Sequence, residues 1–388
     1  MVRVLTVIGT RPEAIKMAPV IRALNRRPDR IESIVCTTAQ HREMLDQVLH
    51  LFNIEPHIDL KLMRPGQSLS EITARVTLGM TEVLKRERPN CVLIQGDTST
   101  VMATALSAFY ERIPVGHVEA GLRTSTLYDP FPEEMNRRFV SMVATLHFAP
   151  TETACQALLA ENIPKANIFL TGNPVVDALL WVVDQKPSDD TLSLFSQLNI
   201  SFPEKGGKNP TLSSNSGKLL LVTAHRRENF GAPLESICHG LRRIVERNYD
   251  IRLVYPVHLN PRVRETVYRI LRGHERIILI NPLSYETFVH LMRAADLILT
   301  DSGGIQEEAP ILGKPVLVMR QETERPEGVA VGIVKIIGTE ADRLVFETER
   351  LLHDPEEYRR MALAVNLYGD GHAADRIVQI VLERFQVQ

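Results

Sequence analysis

Short apolar runs alternate with amphipathic segments along most of the chain, and this alternation predicts an α/β protein. The runs are rich in valine, isoleucine and leucine and have the length of buried strands. Between them, apolar residues recur at helical spacing. Strands that alternate with helices in this way form parallel sheets. In the first half of the chain, the predicted strands are VRVLTVI, IESIVCT, NCVLIQ, IPVGHVE, TLHFA and NIFLT.

Two of the predicted helices begin with a capping box. Thr10 and Glu13 stand three residues apart at the start of TRPEAIKMAPVIRAL, and Ser68 and Glu71 do the same at the start of SLSEITARVTLGMTEVL. In this motif each side chain accepts a hydrogen bond from the backbone of the other residue. The two pairs therefore predict where these helices begin.

The alternation stops after Trp181. Residues 184–217 are rich in glycine, proline, serine and asparagine, which predicts a linker or mobile loop. Strands resume at KLLLVTA, IRLVYPV, RIILI, DLILT and KPVLVM, again with helices between them. We expect two Rossmann-like, doubly wound domains, residues 1–172 and 218–364, joined by a connecting helix and linker at 173–217.

The composition is that of an ordinary globular protein. With 388 residues, 44% of them hydrophobic, the chain is long enough for two domains with separate cores. A formal net charge of −2 gives no electrostatic footprint for nucleic acid. No apolar stretch is long enough to insert into a membrane, and VLTVIG is too short for a signal peptide. Four scattered cysteines without a CxxC pair indicate reduced thiols and a cytoplasmic protein.

The chemistry is expected beyond the carboxyl ends of the strands, where ligands bind in open parallel sheets. The segments that follow predicted strands are GTRPEAIK, GDTST and VEAGL in the first half, and TAHRREN, PVHLNP and TDSGGIQEE in the second. If each domain collects one such set, the two sets can face each other across a cleft. Neither a GxGxxG nor a GxxxxGK[ST] motif follows the first strand, so no dinucleotide fingerprint or P-loop is predicted.

Ser302, Gly303 and Gly304 stand at the start of a predicted helix, where free backbone N–H groups and the positive end of the helix dipole suit an anion. Glu308 would lie one helical turn further on, able to accept hydrogen bonds from ribose hydroxyls. This pattern favours a nucleoside diphosphate bound outstretched. The alternative is a plain strand-to-helix turn in which Glu307 and Glu308 face solvent.

Cations at two other strand ends are consistent with an anionic ligand. Arg11 and Lys16 lie in and just beyond the first turn of a helix, where positive charge opposes the dipole. His225, Arg226 and Arg227 follow a strand in the second half. The alternative is that these loop residues are simply solvated.

Asp97, Glu119 and Glu133 are the candidates for proton transfer. The first two each follow a strand, and Glu133 opens a helix, a place where acids are also common for structural reasons. Carboxylates crowded in a cleft can differ in pKa, so that one acts as base and another as acid. His117 and Glu119 alternate onto one face of a strand, but no third ligand stands at motif spacing, so no metal site is expected.

Taken together, the segments GTRPEAIKMAP, TAQHREMLDQVL, QGDTST, GHVEAGLRT, PEEMNRR, TAHRREN, YPVHLNP, LTDSGGIQEEAP and TERPEGV match one family in consistent order, from Val4 to about Gly371. The sequence resembles the bacterial non-hydrolysing UDP-N-acetylglucosamine 2-epimerases. The resemblance implies a GT-B-like fold of two Rossmann-like domains around a cleft. From its pattern alone, the last helix suits either domain; the resemblance implies that this helix, about 365–388, returns to the first.

The resemblance also implies a reaction, the interconversion of UDP-GlcNAc and UDP-ManNAc through elimination and re-addition of UDP, with no NAD and no metal. The catalytic positions implied are Lys16, Asp97, Glu119, Glu133, Arg137 and His225. Those implied for substrate binding are Arg11, His225, Ser302, Gly303, Gly304 and Glu308. A homodimer is expected, with a product that serves cell-surface polysaccharide.

Many members of the family are activated by their own substrate, and the matching positions are Gln40, Glu43, Gln67, Arg226 and His258. Gln95 departs from the pattern, since the resemblance leads us to expect histidine before Gly-Asp-Thr. The stretch 204–217 is also longer than usual and bears on domain motion more than on chemistry.

Three other functions share parts of this pattern. A retaining GT-B glycosyltransferase that uses a UDP-sugar would share the diphosphate and ribose site, but it needs fewer acids in the first domain. A hydrolysing epimerase would have to admit water. A non-enzymatic UDP-sugar sensor would not need the acids at all.

Overall fold

The computed structural model describes residues 1–38, 42–62, 64, 66–128, 130–203, 217–363 and 367–385, with the side chains of 42–44 left out. The chain forms two compact units. Unit 1 comprises Met1–Leu180 and Tyr368–Gln388, and unit 2 comprises Trp181–Leu367. The chain therefore leaves unit 1 once and re-enters it once.

Each unit is built on one parallel sheet. In unit 1 the strand order is β3-β2-β1-β4-β5-β6-β7, and in unit 2 it is β10-β9-β8-β11-β12-β13. Every strand pair is parallel, which confirms the predicted doubly wound α/β class. The strands are β1 Val2–Ile8, β2 Ile31–Thr37, β3 Ile58–Asp59, β4 Cys91–Gln95, β5 Val115–Val118, β6 Leu146–Ala149, β7 Ile168–Leu170, β8 Lys218–Thr223, β9 Ile251–Pro256, β10 Ile277–Ile280, β11 Leu297–Thr300, β12 Val316–Val318 and β13 Val334–Ile336.

Helices lie between successive strands as crossovers, and three more of the described helices follow the last strand. The helices are α1 Arg11–Asn25, α2 Arg42–Leu51, α3 Leu69–Glu87, α4 Ser99–Tyr110, α5 Glu133–Val143, α6 Glu152–Ala160, α7 Pro174–Asp184, α8 Asp189–Gln197, α9 Ala232–Arg247, α10 Pro261–Leu271, α11 Tyr285–Ala294, α12 Gly303–Ile311, α13 Pro326–Ala330, α14 Ala341–His353, α15 Pro355–Ala362 and α16 Ala373–Phe385. Among the described helices, none has the length and apolarity needed to cross a membrane.

The central strands read as continuous apolar runs because helices cover both faces of each sheet. Cys91–Gln95 and Leu297–Thr300 are buried at every position. Each unit has its own core, as the chain length led us to expect. In unit 2, for example, Leu220, Leu253 and Leu299 meet in one buried cluster.

Three elements differ from the sequence-based expectation. Residues 184–217 were expected to be a linker or loop, but Asp189–Gln197 is a helix, capped by the Ser188 side chain. The strands β3 and β13 were not predicted: β3 has only two residues, and the apolar run at β13 is interrupted by Lys335.

Helix α16 belongs to unit 1, where the Arg26 guanidinium lies 2.7 Å from the carboxylate of Asp375.

Candidate functional site

In unit 1 the candidate residues collect where the strand order reverses, between β1 and β4. At such a switch point the crossovers leave to opposite faces of the sheet and open a crevice at the carboxyl ends of the strands. Lys16 lies on the helix after β1, Asp97 follows β4, and Glu119 follows β5. A methyl group on Gly96 would lie 3.6 Å from Glu119 Oε2, so Glu119 and the Gly96–Asp97 turn are neighbours.

Glu119 is a buried carboxylate held by several donors. Lys16 Nζ lies 2.5 Å from Oε1, Asn173 Nδ2 donates to the same oxygen at 2.9 Å, and Gln95 Nε2 donates to Oε2. Its backbone has φ of +64°, a left-handed conformation that few residues other than glycine adopt. The expected alternation of His117 and Glu119 on one strand face is therefore wrong, because β5 ends at Val118 and the chain turns at Glu119.

Asp97 is bound by one arginine. Arg137 Nε and Nη2 lie 2.8 and 2.7 Å from Asp97 Oδ2, and Arg137 Nη1 reaches Glu134 Oε2 at 3.1 Å. The side-chain amide of Asn136 also donates to the Asp97 carbonyl at 2.8 Å. Helix α5 thus fixes the Asp97 loop through two consecutive residues, 136 and 137.

Glu133 is the first residue of α5 and is half-buried. Among the residues that the structure describes, its Oε2 atom is buried and has no hydrogen-bond partner. A buried carboxylate oxygen without a partner is costly, so such atoms usually mark a place where water or a ligand binds. This geometry keeps Glu133 a candidate for proton transfer rather than only a helix-start residue.

Two further buried groups in unit 1 have shifted pKa values. Burial raises the pKa of Glu13 to about 7, although Gly9 N–H and the hydroxyls of Thr10 and Thr98 donate to its carboxylate. Burial lowers the pKa of His117 to about 4, so its ring is neutral at neutral pH. Because His117 Nε2 lies 2.7 Å from the Gly96 carbonyl, which can only accept, the proton sits on Nε2.

In unit 2 the strand order reverses between β8 and β11, and the candidate residues again lie there. Asp301 is fully buried after β11, and its Oδ2 atom accepts from the backbone N–H groups of His225 and Arg226, both at 2.8 Å. Asn229 Nδ2 donates to the same atom at 3.0 Å. Asp301 therefore fixes the His225 loop. Burial lowers the pKa of His225, although Asp301 acts to raise it.

The Ser302–Gly304 turn opens α12 as predicted. Within the described residues, Ser302 makes no side-chain hydrogen bond to the first-turn amides of the helix. A methyl group on Gly303 would lie 2.7 Å from Arg325 Nη1 and 3.5 Å from Arg226 Nη2, whereas one on Gly304 would meet nothing within 4 Å. Uncapped amides with the Arg226 guanidinium nearby are groups that suit an anion.

The two acids behind this turn are both buried, so the alternative of a solvent-facing pair is wrong. Glu307 Oε1 lies 2.5 Å from Arg325 Nε, and this ion pair neutralises the charge of the Glu307 carboxylate. Glu308 Oε1 accepts from the Tyr285 hydroxyl at 3.4 Å. The two carboxylates thus have different environments, one ion-paired with arginine and the other facing a phenol.

The remaining predicted positions are placed as follows. Arg11 is the half-buried first residue of α1, and Arg227 is exposed. Gln67 accepts from Arg64 N at 2.5 Å. The rings of His258 and His225 stack with their centroids 5.3 Å apart. Gln40 and the side chain of Glu43 lie outside the described residues.

Sequence reasoning missed three residues that contact the predicted ones, and it noted a fourth, Gln95, without assigning it a contact. Asn173 and Gln95 hold Glu119, Asp301 holds the His225 loop, and Arg325 lies against Gly303. Gln95 was noted only as a departure from the family pattern, although its place at the end of a strand was a usable signal. Of the residues with described side chains, no three His, Cys, Asp or Glu are grouped so as to hold a metal ion.

Comparison with known proteins gives consistent matches over nearly the whole chain. Residues 22–382 match the family model of UDP-N-acetylglucosamine 2-epimerase. The curated UDP-N-acetylglucosamine 2-epimerase of Escherichia coli strain K12 is 56% identical over 377 residues, which are 97% of each chain.

Solved structures agree with these matches. UDP-GlcNAc 2-epimerase from Neisseria meningitidis, bound to UDP-GlcNAc, superposes with a TM-score of 0.90 at 47% identity, covering 98% of this chain and 100% of that one. The S. aureus MnaA–UDP co-structure gives 0.88 at 44% identity, covering 99% and 97%.

Proposed function

Because the chain belongs to the UDP-N-acetylglucosamine 2-epimerase family, we propose that it interconverts UDP-GlcNAc and UDP-ManNAc by eliminating and re-adding UDP. The observation that carries this proposal is the arrangement in unit 1, where three acids stand in three different environments. Glu119 is held by Lys16 and two amides, Asp97 by an arginine, and Glu133 has an oxygen without a partner among the described residues.

The chemistry explains why such acids are needed. The C2 proton of the sugar is only weakly acidic, because no carbonyl adjoins C2 in the ring. Breaking the anomeric C–O bond first creates an oxocarbenium-like centre, which acidifies that proton and releases UDP. Loss of the proton gives 2-acetamidoglucal, and UDP then re-adds while a proton is delivered to the opposite face of C2.

At least two proton-handling groups are therefore required, one for each face of C2. Carboxylic acids are among the side chains that perform such proton transfers. We assign this role to Asp97, Glu119 and Glu133, supported by Lys16, Arg137 and His225. This route requires neither a metal nor a nicotinamide.

The leaving diphosphate needs positive charge and N–H donors. We assign this task to Arg11, His225 and the Ser302–Gly304 turn, whose uncapped amides support the assignment. Glu308 is assigned to the ribose hydroxyls. Arg226, beside Gly303, adds positive charge at the same turn, whereas the charge of Arg325 is paired with Glu307.

The wider biology follows from the family and belongs to the same proposal. The product would supply ManNAc for a cell-surface polysaccharide, and the protein would act in the cytoplasm as a homodimer. Activation by the substrate would use Gln40, Glu43, Gln67, Arg226 and His258. The stacking of His258 on His225 supports a connection between these positions and the site.

The test is proton NMR of the purified protein with UDP-GlcNAc in D2O, without added metal or nicotinamide. Appearance of UDP-ManNAc with deuterium at C2 is the expected result, because the proposed route breaks the C2–H bond. Release of UDP with free ManNAc would instead show a hydrolysing epimerase. UDP binding without any change in the sugar would overturn the proposal in favour of a transferase or a sensor.

A further inference from the structure

We propose that Asn173 is a positioning residue for this reaction: its side-chain amide fixes the Glu119 carboxylate and joins it to the segment through which the chain re-enters unit 1. The proposal rests on the role of Glu119 in the proposed function. Asn173 is completely buried, and Nδ2 donates to Glu119 Oε1 at 2.9 Å.

The orientation of the Asn173 amide is determined by its two partners. Its Oδ1 accepts from Val175 N at 3.2 Å, at the start of α7. A backbone N–H can only donate and a carboxylate can only accept, so the oxygen must face Val175 and the nitrogen must face Glu119. Asn173 is thus a helix cap and a carboxylate donor at the same time.

The backbone of Asn173 is attached to the returning chain. Its N–H donates to the Tyr368 carbonyl at 2.7 Å, and Tyr368 is the first residue of unit 1 after the excursion through unit 2. The neighbouring glycines allow this approach. Gly172 has φ of +83°, and a methyl group there would lie 3.2 Å from Gly369 Cα. Glu119 is therefore joined through Asn173 to the residue at which the chain re-enters unit 1 and to the start of α7, the helix that leaves unit 1 at Leu180.

Glu119 depends on such donors because of its backbone. Its φ of +64° is unfavourable for a glutamate, and a conformation of this kind persists only where the surroundings impose it. Lys16 supplies the neutralising charge, but a flexible lysine restricts the carboxylate plane less than an amide anchored on a helix. The amide is therefore the group that fixes the direction of Oε1.

The decisive variant is Asn173→Asp. Aspartate retains the shape and the acceptor for Val175 N–H, but it replaces the donor with a second carboxylate oxygen facing Glu119. We expect kcat at pH 7 to fall about 100-fold with little change in KM, on the scale of a lost acid–base group. The acid limb of the pH–rate profile should move upward, since a neighbouring negative charge favours protonation.

Asn173→Ser is the neutral companion, because serine also caps helices but is too short to reach Glu119. We expect about a tenfold loss of kcat. The matched control is Asp354→Asn, the same exchange in reverse at the start of α15, where the cap is likewise followed by proline. Turnover of this control should equal that of the wild type.

A second readout does not depend on turnover. Two facing carboxylates bind a proton in the folded state, so Asn173→Asp should lose stability relative to Asn173→Ser as the pH rises from about 5 to 8. If this loss is absent, or if both variants keep the wild-type pH–rate profile, Asn173 is not a positioning residue. If the wild-type protein has no epimerase activity, only the proposed function is overturned. The stability measurement would still decide whether the Asn173 side chain faces Glu119.

Discussion

At the scale of single residues, the same chemical group occurs in contrasting environments. Glu119 is surrounded by donors, Asp97 is bound by a buried arginine, and Glu133 has a buried oxygen without a hydrogen-bond partner among the described residues. The three acids of the site therefore differ in the groups that bind them.

Asp97→Asn should reduce turnover of UDP-GlcNAc by about two or more orders of magnitude, because the amide cannot exchange a proton and no longer pairs with Arg137. UDP affinity, measured by calorimetry, should be nearly unchanged. Asp29→Asn, at an exposed position of the same unit, is the control and should behave as wild type.

Glu308→Ala, in unit 2, should instead weaken UDP binding, because a hydrogen-bond acceptor for the ribose is lost. Near-normal turnover of Asp97→Asn would exclude its assigned role. Unchanged UDP affinity of Glu308→Ala would exclude the ribose contact.

The sequence predicted most of these residues because strand ends can be read from periodicity, and acids or cations directly after a strand stand out. It did not predict their partners. Asn173 is distant from Glu119 in sequence, and nothing local indicates that its amide turns inward. The left-handed backbone of Glu119 was equally hidden, since glutamate carries no preference for it.

At the scale of elements, the two capping boxes differ. In α3 the box is complete, with Ser68 and Glu71 each bonded to the backbone of the other. In α1 the Thr10 hydroxyl accepts from Glu13 N, but the Glu13 carboxylate accepts from Gly9 N at 2.7 Å instead of from Thr10 N. The sequence motif predicted both helix starts. In α1, however, the Glu13 carboxylate accepts from Gly9 rather than from Thr10 N, and burial raises its pKa.

This difference predicts a pH-dependent stability. The folded protein holds the Glu13 proton up to about pH 7, above the ordinary value of 4.5, so the associated stability is complete below about 4.5 and is lost as the pH rises through 7. Between about pH 5.5 and 8, the wild type should lose about 2 kcal/mol of unfolding free energy that Glu13→Gln keeps. Denaturant unfolding at both pH values measures this difference.

Glu71→Gln is the matched control. Hydrogen bonds from Ser68 lower the pKa of Glu71, so this side chain is ionised throughout that range and contributes no change across it. If Glu13→Gln follows the wild type in parallel from pH 5.5 to 8, then Glu13 is already ionised in the folded protein.

At the scale of the whole molecule, two parallel sheets place their candidate residues at equivalent points. In each unit these residues lie where the strand order reverses. The sequence predicted only that they follow strands, because the alternation of strands and helices does not give the strand order. The limits of the units were less accessible from the sequence. Helix α7 runs across the boundary at Leu180, so the change of pattern after Trp181 begins within a helix rather than between two elements.

The cores of both units enclose the cysteines, which predicts low thiol reactivity. Burial raises the pKa of Cys36, Cys91 and Cys238 to about 12 and also raises that of Cys155. Few thiolates therefore form at pH 8, and a thiol reagent such as DTNB should label the native protein slowly at all four positions. In denaturant all four thiols should react at once. Rapid labelling of one thiol in the native state would show that its surroundings open.

The return of the chain at Tyr368 also has a consequence for synthesis. Unit 1 is interrupted by the whole of unit 2, and its last helix supplies Ile377, Val378 and Val381 to the buried interior. On the ribosome, the surface that receives them stays uncovered while all of unit 2 is translated. The unit that carries Glu119 is thus completed only by the last segment of the chain, so a truncated product lacks that covering even when every acid is present.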